Sequence, residues 1–305
     1  MVEVIIVGGG PAGLSAALVL GRAGRSTLVL DAGEPRNAVS RRSHTFLTRD
    51  GIPPAELLEL ARAELERYPS VEVRLTEALS ASVEPNGFEV TLPNGSAETC
   101  RKLLLTTGVV DELPDIHGLR PFWGTSVFHC PYCDGWEVRG RALAVYDRGA
   151  EAMNFVPVVL GWSEDLVLCT DGPSGLSDRA RDDLEQNGVR IVETPIVRLE
   201  GDGRLERIVF SDGSAIARDA LFVHTSPRGR SDLAAQLGCG LTDHDLVEVT
   251  GERETSVPGV YAAGDAASKF HQIVVAAASG TEAAIMINRA LSMEDFAAGK
   301  RASIS

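Results

Sequence analysis

The chain has 305 residues, enough for two domains that each bury a hydrophobic core. Hydrophobic residues make up 44% of the sequence and 31 residues are glycine, a composition that excludes a disordered or collagen-like chain. The formal net charge of −14 argues against nucleic acid and anionic membrane surfaces as partners, because both repel an acidic protein.

Hydrophobic patterns predict strands and helices that alternate along the chain, which indicates an α/β protein. The first set comprises strands at 2–7 and 26–30, helices at 11–23 and 53–68, and strand-like runs at 71–75, 89–92 and 103–108. The second set comprises strands at 142–146, 166–169, 189–192 and 220–224 and helices at 151–160 and 176–187. The segment 259–265 and a helix at 272–290 resume the first pattern. The sequence therefore predicts a middle domain inserted into a discontinuous first domain.

The start of the chain enters a strand at once, without the basic and apolar segments of a signal peptide. No stretch approaches the roughly 18 consecutive apolar residues of a membrane-spanning helix. The five cysteines are an odd number, which is not typical of a closed disulfide framework. We therefore expect a cytoplasmic protein with no membrane segment.

A glycine-rich turn, Gly-Gly-Gly-Pro-Ala-Gly at residues 8–13, follows the first strand and precedes the first helix. This G-x-G-x-x-G motif lets a pyrophosphate approach the helix N-terminus, where free N–H groups favour anions. Asp31 ends the second strand, where a carboxylate can accept hydrogen bonds from ribose hydroxyls. A glycine-rich turn without a ligand is the alternative, and the motif alone does not distinguish FAD from NAD. Late in the chain, Gly264 and Asp265 form a second turn that suits a ribityl hydroxyl and the adjacent phosphate.

Cys130 and Cys133 form a C-x-x-C pair in the segment Cys-Pro-Tyr-Cys-Asp-Gly. Thiols in such pairs often have lowered pKa values, which makes a thiolate available for disulfide chemistry. Half of a zinc site is one alternative, but the other three cysteines are scattered singly, so we expect no metal. Two structural thiols are the other alternative. Asp134 or His129 can carry the protons that two-electron thiol chemistry moves.

With these motifs in this order, the chain resembles the low-molecular-weight thioredoxin reductases over nearly its full length. The run at 106–108 with Leu113-Pro114 is similar to that family's crossover between domains. His271-Gln272-Ile273 stands where the family usually has Arg-Gln-Ala.

The resemblance implies a homodimeric FAD-dependent disulfide oxidoreductase with two Rossmann-like, three-layer β/β/α nucleotide-binding domains. FAD would be bound by residues 1–114 and 246–305, and the inserted domain, residues 115–245, would carry the cysteines. The substrate would be a thioredoxin-like protein or a small dithiol or disulfide.

On the same resemblance, Cys133 would face the flavin C4a atom, Cys130 would attack the substrate disulfide, and Asp134 would be the acid–base residue. The chain resembles a divergent branch of the family at Arg36, Asn37 and the segment 44–50. His44, in that segment, would lie either near the flavin or in a surface loop. The candidate cofactor-binding residues are therefore Gly8, Gly10, Pro11, Ala12, Gly13, Asp31, Arg36, Asn37, His44, Thr107, Gly108, Gly264, Asp265, His271, Gln272 and Ile273.

The inserted domain departs from the family at its own nucleotide site. Tyr146 and Asp147 stand where the family has glycines that let the pyrophosphate approach the backbone. Asp171 lies in a segment that replaces the basic His-Arg-Arg run of the family, and its charge opposes the 2′-phosphate. We therefore expect NADPH to be an unsuitable donor. NADH is conceivable, because Asp171 can accept from a ribose diol.

Two enzyme interpretations and one of another class stay open. The chain is similar to pyridine-nucleotide-independent reductases, in which ferredoxin or a second flavin in the inserted domain delivers electrons. It is also similar to flavin dithiol oxidases, which pass electrons to oxygen, although those enzymes often carry His at the position of Asp134. The remaining interpretation is a flavin-bound redox sensor without turnover.

Overall fold

The computed structural model describes residues 1–299, and these fold as two units that each combine separate stretches of the chain. Within the described residues, the first unit contains Met1–Ala38, Thr45–Asp111 and 227–299, and the second contains Val39–His44 and Glu112–Ser226. The last six residues of the range 246–305 lie outside the described part of the chain.

The helices and strands follow the predicted order, with additional short elements. The first elements are β1 (Val2–Val7), α1 (Pro11–Arg22), β2 (Thr27–Asp31), α2 (Pro54–Leu65), β3 (Val71–Leu75), β4 (Ser80–Glu84), β5 (Gly87–Thr91), β6 (Ala97–Leu105) and β7 (Val109–Glu112). The middle elements are β8 (Val127–Phe128), α3 (Pro131–Asp134), β9 (Leu143–Tyr146), α4 (Gly149–Leu160), β10 (Leu166–Cys169), α5 (Asp178–Gln186), β11 (Arg190–Val192), β12 (Ile196–Glu200), β13 (Arg207–Phe210), β14 (Ala215–Ala217), β15 (Ala220–Val223) and β16 (Ser226–Gly229). The last are α6 (Leu233–Gln236), β17 (Val260–Ala262) and α7 (Ile273–Ala297).

The first unit is built on a sheet with the strand order β3-β2-β1-β6-β5-β4, and β17 also pairs with β6. Strands β3, β2, β1, β6 and β17 run parallel, whereas β4 and β5 form an antiparallel extension. The central strands β1 and β2 are nearly continuous apolar runs, as expected for parallel strands that are covered on both faces.

Helices α1 and α7 cover one face of this sheet. Ala17 and Leu20 of α1 and Ile287 of α7 belong to the same buried cluster as Val4 of β1. The two helices pack so closely that a Cβ on Gly280 would overlap the carbonyl oxygen of Ala12. This contact fixes the N-terminal halves of both helices at the edge where β1 and β6 end.

The second unit is built on a fully parallel sheet with the order β11-β10-β9-β15-β8. Val156 of α4 and Leu184 of α5 pack on one face of it. The antiparallel sheet β12-β13-β14 packs on the other face through Leu199 and Phe210. Both units are thus α/β folds built on parallel strands, as expected from the sequence.

The units divide at 111/112 and 226/227, and Val39–His44 also belongs to the second unit, whereas the sequence predicts limits at 114/115 and 245/246. The later boundary differs because Leu233 and Leu237, in and just after α6, pack with Cys239 into the core beneath β5 and β6 of the first unit. Among the helices that the structure describes, none is long and apolar enough to cross a bilayer.

Candidate functional site

The glycine-rich turn of the first unit joins β1 to α1 and has no room for side chains on its inner side. Gly8 has a φ of +112°, and a Cβ there would overlap the carbonyl oxygen of Thr106. A Cβ on Gly13 would overlap the carbonyl oxygen of Gly8. Gly10 precedes α1 and Pro11 is its first residue, and no atom lies within 4 Å of a Cβ built on Gly10. The turn is an open backbone cradle at the N-terminus of a 12-residue helix, which fits a pyrophosphate.

The end of β6 supports this turn. Val7 and Leu105 are paired in the parallel sheet, so the residues that follow both strands lie at one edge. The hydroxyl of Thr106 donates to the carbonyl oxygen of Gly8 over 2.9 Å. Thr107 and Gly108 follow directly. Thr106 was not among the candidate residues, although it belongs to the run that carried the resemblance.

Asp31 ends β2 and is buried close to the glycine turn. Its Oδ2 accepts a hydrogen bond from Arg62 of α2 at 2.7 Å, and its Oδ1 accepts from the backbone N–H of Gly33 at 3.0 Å. A Cβ on Gly9 would overlap the carboxylate of Asp31. The carboxylate therefore lies against the turn, where a ribose that follows the pyrophosphate would meet it. Arg62 was missed by the sequence analysis.

Arg36 links two carboxylates of the first unit. Its Nε and Nη2 donate to Asp111 at 2.7 and 2.5 Å, and its Nη1 donates to Asp265 at 3.0 Å. These charge-assisted bonds raise the pKa of the buried Arg36 guanidinium although burial itself lowers it. Asp265 follows Gly264, whose N–H donates to the hydroxyl of Ser279. A positive charge beside Asp265 allows that carboxylate to stay next to phosphate, because the guanidinium offsets the repulsion.

The N-terminus of α7 carries the other candidate residues of this unit. Gln272 immediately precedes the helix, Ile273 is its first residue, and Oε1 of Gln272 accepts from the hydroxyl of Thr45 at 2.7 Å. Nε2 of His271 lies 2.9 Å from the carbonyl oxygen of Ser268. Burial lowers the pKa of His271, and the nearby Arg36 guanidinium acts in the same direction. A neutral imidazole is therefore favoured there.

The cysteine pair is closed as a disulfide in the second unit. The Cα atoms of Cys130 and Cys133 are 5.3 Å apart, as the bridge requires. Helix α3 begins at Pro131, and the N–H groups of Cys133 and Asp134 donate to the carbonyl oxygen of Cys130. This single helical turn brings the two sulfurs together.

Asp134 is a partly buried acid at the end of this turn. Burial raises the pKa of Asp134 to about 7, and the nearby negative charge of Glu137 raises it further, whereas His44 opposes the shift. Nε2 of His44 lies 3.5 Å from Oε1 of Glu137. The structure therefore groups His44 with Asp134, while Arg36, Asp265, His271 and Gln272 belong to the first unit. Glu137 was missed by the sequence analysis.

His129, the other candidate proton carrier, precedes the disulfide. Its ring centroid lies 5.6 Å from that of Trp123.

Asn37, a candidate in the first unit, lies in the 3-10 turn Arg36–Val39 next to the ion-paired Arg36.

At the corresponding turn of the second unit, the chain itself uses the first N–H of the helix that follows β9. The N–H of Gly149, the first residue of α4, donates to the carbonyl oxygen of Ser174 at 2.8 Å. The hydroxyl of Tyr146 donates to Oδ2 of Asp171 at 3.1 Å, and Oδ1 of Asp171 accepts from the N–H of Ile196 at 2.8 Å. Polar groups at the edge where β9 and β10 end are thus hydrogen-bonded to one another. No sequence pattern predicts the Ser174 contact.

Negative charge surrounds the same edge. Asp147 follows β9, and its Oδ2 lies 3.3 Å from Nδ1 of His224, which follows β15. Hydrogen bonding to Asp147 raises the pKa of His224, and Glu151 in the first turn of α4 acts in the same direction. Together with Asp171, these carboxylates oppose a bound phosphate.

Comparison with known proteins gave consistent matches over the whole chain. The family model described as pyridine nucleotide-disulphide oxidoreductase matches residues 2–280. The thioredoxin reductase sirT of Leptosphaeria maculans is 33% identical, with 99% of this chain and 98% of that protein aligned. The crystal structure of the putative thioredoxin reductase TrxB from Bacillus anthracis is 33% identical with a TM-score of 0.93, covering 97% of this chain and 100% of that one. An oxidoreductase from Agrobacterium tumefaciens is 34% identical with a TM-score of 0.91, covering 96% and 99%.

Replacing Asp134 with Asn should change how stability depends on pH. A carboxyl whose pKa rises from 3.8 to about 7 on folding contributes stability that is complete below its unfolded pKa and is lost as the pH rises through about 7. The Asn variant has no such loss, so its free energy of unfolding relative to wild type should increase between about pH 4 and pH 8, by at most about 4 kcal/mol. Urea unfolding of the oxidised protein across this range measures the difference. Asp182→Asn on the exposed face of α5 is the matched control, and equal pH dependence in all three proteins would contradict the assignment.

Proposed function

Because the chain belongs to the pyridine nucleotide-disulphide oxidoreductase family and is a thioredoxin-reductase-like, FAD-dependent disulfide oxidoreductase, we propose that it exchanges electrons with the Cys130–Cys133 pair without using NADPH efficiently. Bound FAD supplies two-electron chemistry that can open or close a disulfide. The observation that carries the proposal is the strand-end edge of the second unit, where Tyr146 is hydrogen-bonded to Asp171 and the Ser174 carbonyl accepts from the N–H of Gly149.

We propose that the first unit holds FAD through the candidate residues. The turn with Gly8, Gly10 and Gly13 would take the pyrophosphate, as its open backbone indicates. Asp31 would accept from the ribose, and Asp265, charge-balanced by Arg36, would accept from the ribityl chain. The residues in these roles all belong to the first unit.

Three features of the second unit oppose NADPH. The first N–H of α4 is used by the Ser174 carbonyl and is not available to phosphate. The Tyr146 ring and the Asp171 carboxylate are joined by a hydrogen bond where a nucleotide would approach the strand ends. Asp147 and Asp171 also repel phosphate. Burial and the Asp171 charge raise the pKa of Tyr146 to about 12, so the Tyr146 hydroxyl stays protonated and donates to Asp171.

The same three features disfavour NADH and a second FAD at this edge of the second unit, because both carry a pyrophosphate. We therefore propose a donor that does not use the cleft, and a ferredoxin-like protein is the first candidate. If dithiols reduce the flavin and oxygen reoxidises it, the protein acts as a flavin dithiol oxidase. The substrate in either direction is a thioredoxin-like protein or a small dithiol or disulfide.

We propose that Cys133 is the sulfur that exchanges electrons with the flavin and that Cys130 attacks the substrate. Asp134 would hold and release the proton, since a pKa of about 7 suits both steps near neutral pH. Cys100, Cys169 and Cys239 are buried and unpaired in the described chain, which is consistent with a reducing compartment such as the cytoplasm.

We also propose a homodimer that uses helix α7. Val274, Ile285, Met293 and Phe296 are exposed large apolar side chains. At about 100° per residue they fall on one face of the helix, within an arc of about 100°. Such a stripe suits a second copy, because a two-fold interface pairs identical patches.

NADPH should fail to bleach the flavin at a useful rate. Under anaerobic conditions we expect its reduction of the purified protein to be at least about 100-fold slower than reduction by dithiothreitol, a difference of about 3 kcal/mol in activation free energy. Reduced ferredoxin, tested in the same stopped-flow screen, should bleach it if it is the donor. Bleaching by dithiothreitol is the control for a competent flavin, and rapid bleaching by NADPH would contradict the proposal.

Single cysteine variants should separate the roles of the two sulfurs. Cys133→Ser should abolish any long-wavelength absorbance from a thiolate beside oxidised flavin, whereas Cys130→Ser should retain or reveal it. Visible spectra recorded between about pH 6 and pH 9 test this. The opposite pattern would exchange the two roles.

Loss of the apolar stripe should dissociate the dimer. Ile285→Asp combined with Phe296→Asp places two charges in the proposed interface, and light scattering after size exclusion should then report a monomer mass. Leu60→Asp, on the exposed face of α2, is the control and should remain dimeric. A monomeric wild-type protein would contradict the proposal.

A further inference from the structure

We propose that Asp111 is a positioning residue of the cofactor site, because it orients Arg36 so that Asp265 keeps one carboxylate oxygen for the ribityl chain. The inference rests on the proposed function, in which the first unit holds FAD and Asp265 accepts from the ribityl hydroxyls. It gives a role to Asp111, which acts on the cofactor only through two other side chains.

The Arg36 guanidinium bonds to the two carboxylates with different nitrogens. Asp111 accepts from Nε and Nη2 through both of its oxygens, at 2.7 and 2.5 Å. Asp265 accepts from Nη1 through Oδ2 alone, at 3.0 Å. Among residues 1–299 no donor bonds to Oδ1 of Asp265, and its side chain is 20% exposed, so this oxygen is left for a ligand.

The bond to Asp111 determines which way the guanidinium faces. Asp111 lies on the strand β7, and its side chain is only 8% exposed. Arg36 lies in the 3-10 turn Arg36–Val39, and none of the residues in that turn is fully buried, so packing alone does not fix the turn. A bidentate pair between guanidinium and carboxylate is both strong and directional. Asp111 therefore holds the Nε and Nη2 side of the group and leaves Nη1 to Asp265.

Loss of Asp111 would act on FAD in two opposite ways. Without this partner, the guanidinium can turn its fork toward Asp265 and bond to both oxygens, since the bidentate geometry is the stronger one. The ribityl hydroxyls would then lose their acceptor. The loss of a negative charge, by contrast, favours any phosphate that binds nearby. Orientation and charge alone thus predict changes of opposite sign in the affinity for FAD.

ADP distinguishes a loss of orientation from damage to the fold. It carries the adenosine and pyrophosphate of FAD but no ribityl chain. In apoprotein prepared from the full chain, Asp111→Asn should weaken FAD binding at least about 10-fold, or about 1.4 kcal/mol. The same variant should bind ADP no more weakly than wild type. Isothermal titration calorimetry measures both dissociation constants without turnover.

The matched control is Asp295→Asn, which breaks an ion pair with Arg25 at 2.8 Å elsewhere in the first unit and should leave both affinities unchanged. Unchanged or tighter binding of FAD by Asp111→Asn would overturn the inference. An equal loss of affinity for FAD and ADP would also overturn it, because that result indicates a damaged fold.

A double-mutant cycle tests whether Asp111 acts through Asp265. Asp265→Asn should weaken FAD binding by itself. Adding Asp111→Asn to that variant should weaken FAD binding by less than about 2-fold further, because the acceptor that Asp111 preserves is already lost. A merely structural role of Asp111 costs the same in both backgrounds, and that outcome contradicts the inference.

Arg36→Lys is an independent variant that keeps the charge and removes the planar fork. It should weaken FAD binding at least about 5-fold and retain the wild-type affinity for ADP, because a point charge cannot hold the two carboxylates apart in the same way. If charge alone mattered, FAD would bind this variant as tightly as wild type, and the inference would be wrong.

The inference and the proposed function fail in different ways. If the wild-type apoprotein takes up no FAD, the proposed function is wrong. If it binds FAD and Asp111→Asn binds FAD equally well, only the role of Asp111 is wrong.

Discussion

The first unit depends on the close backbone packing around its glycine turn. Gly8 and Gly13 leave no room for a Cβ, and the hydroxyl of Thr106 ties the turn to the end of β6. On the other side, α7 approaches α1 so closely that Gly280 meets the Ala12 carbonyl. These contacts keep the N-terminus of α1 open at the edge of a parallel sheet, which is the place where this kind of fold binds a dinucleotide. The ion pairs of Asp31 and Asp265 are arranged around that fixed edge.

The second unit has the same kind of parallel sheet with different groups at its edge. Its first helix also begins after a strand and a short turn, yet the Gly149 N–H is bonded to Ser174 and the strand ends carry the Tyr146–Asp171 pair. The architecture is kept because α4, α5 and the β12-β13-β14 sheet still need the parallel sheet to bury their apolar faces. Fold and ligand are thus separable, and the side chains at the edge decide the ligand.

The long elements and the local motifs could be predicted from the sequence. The apolar run of β1, the glycine turn and the cysteine pair are short-range patterns, and the structure places each of them as expected. Helix α7 was foreseen from 272 to 290 but extends to Ala297, because the Arg101 and Lys102 side chains bind Glu294 across the fold. The strands β12 to β14 were not foreseen, since short antiparallel strands give weak periodic signals.

The site partners that sequence reasoning missed are distant in the chain. Arg62 meets Asp31 across 31 residues, and Asp111 meets Arg36 across 75. No spacing rule links such pairs, because only the folded sheet brings their strands and helices together. His44 and Glu137 are also far apart in the sequence, and neither a periodic pattern nor a motif links them.

The Ser174–Gly149 hydrogen bond has a consequence for assigning cofactors to related genes. A domain-level match reports the sheet and helices, which this unit retains, and says nothing about whether the phosphate position has been filled by the chain's own carbonyl. On the proposed function, a tyrosine at position 146 hydrogen-bonded to an acid at position 171 would mark such a domain as one that does not take the nucleotide. On that proposal, an electron donor assigned from the fold alone would be the wrong reductant for such proteins.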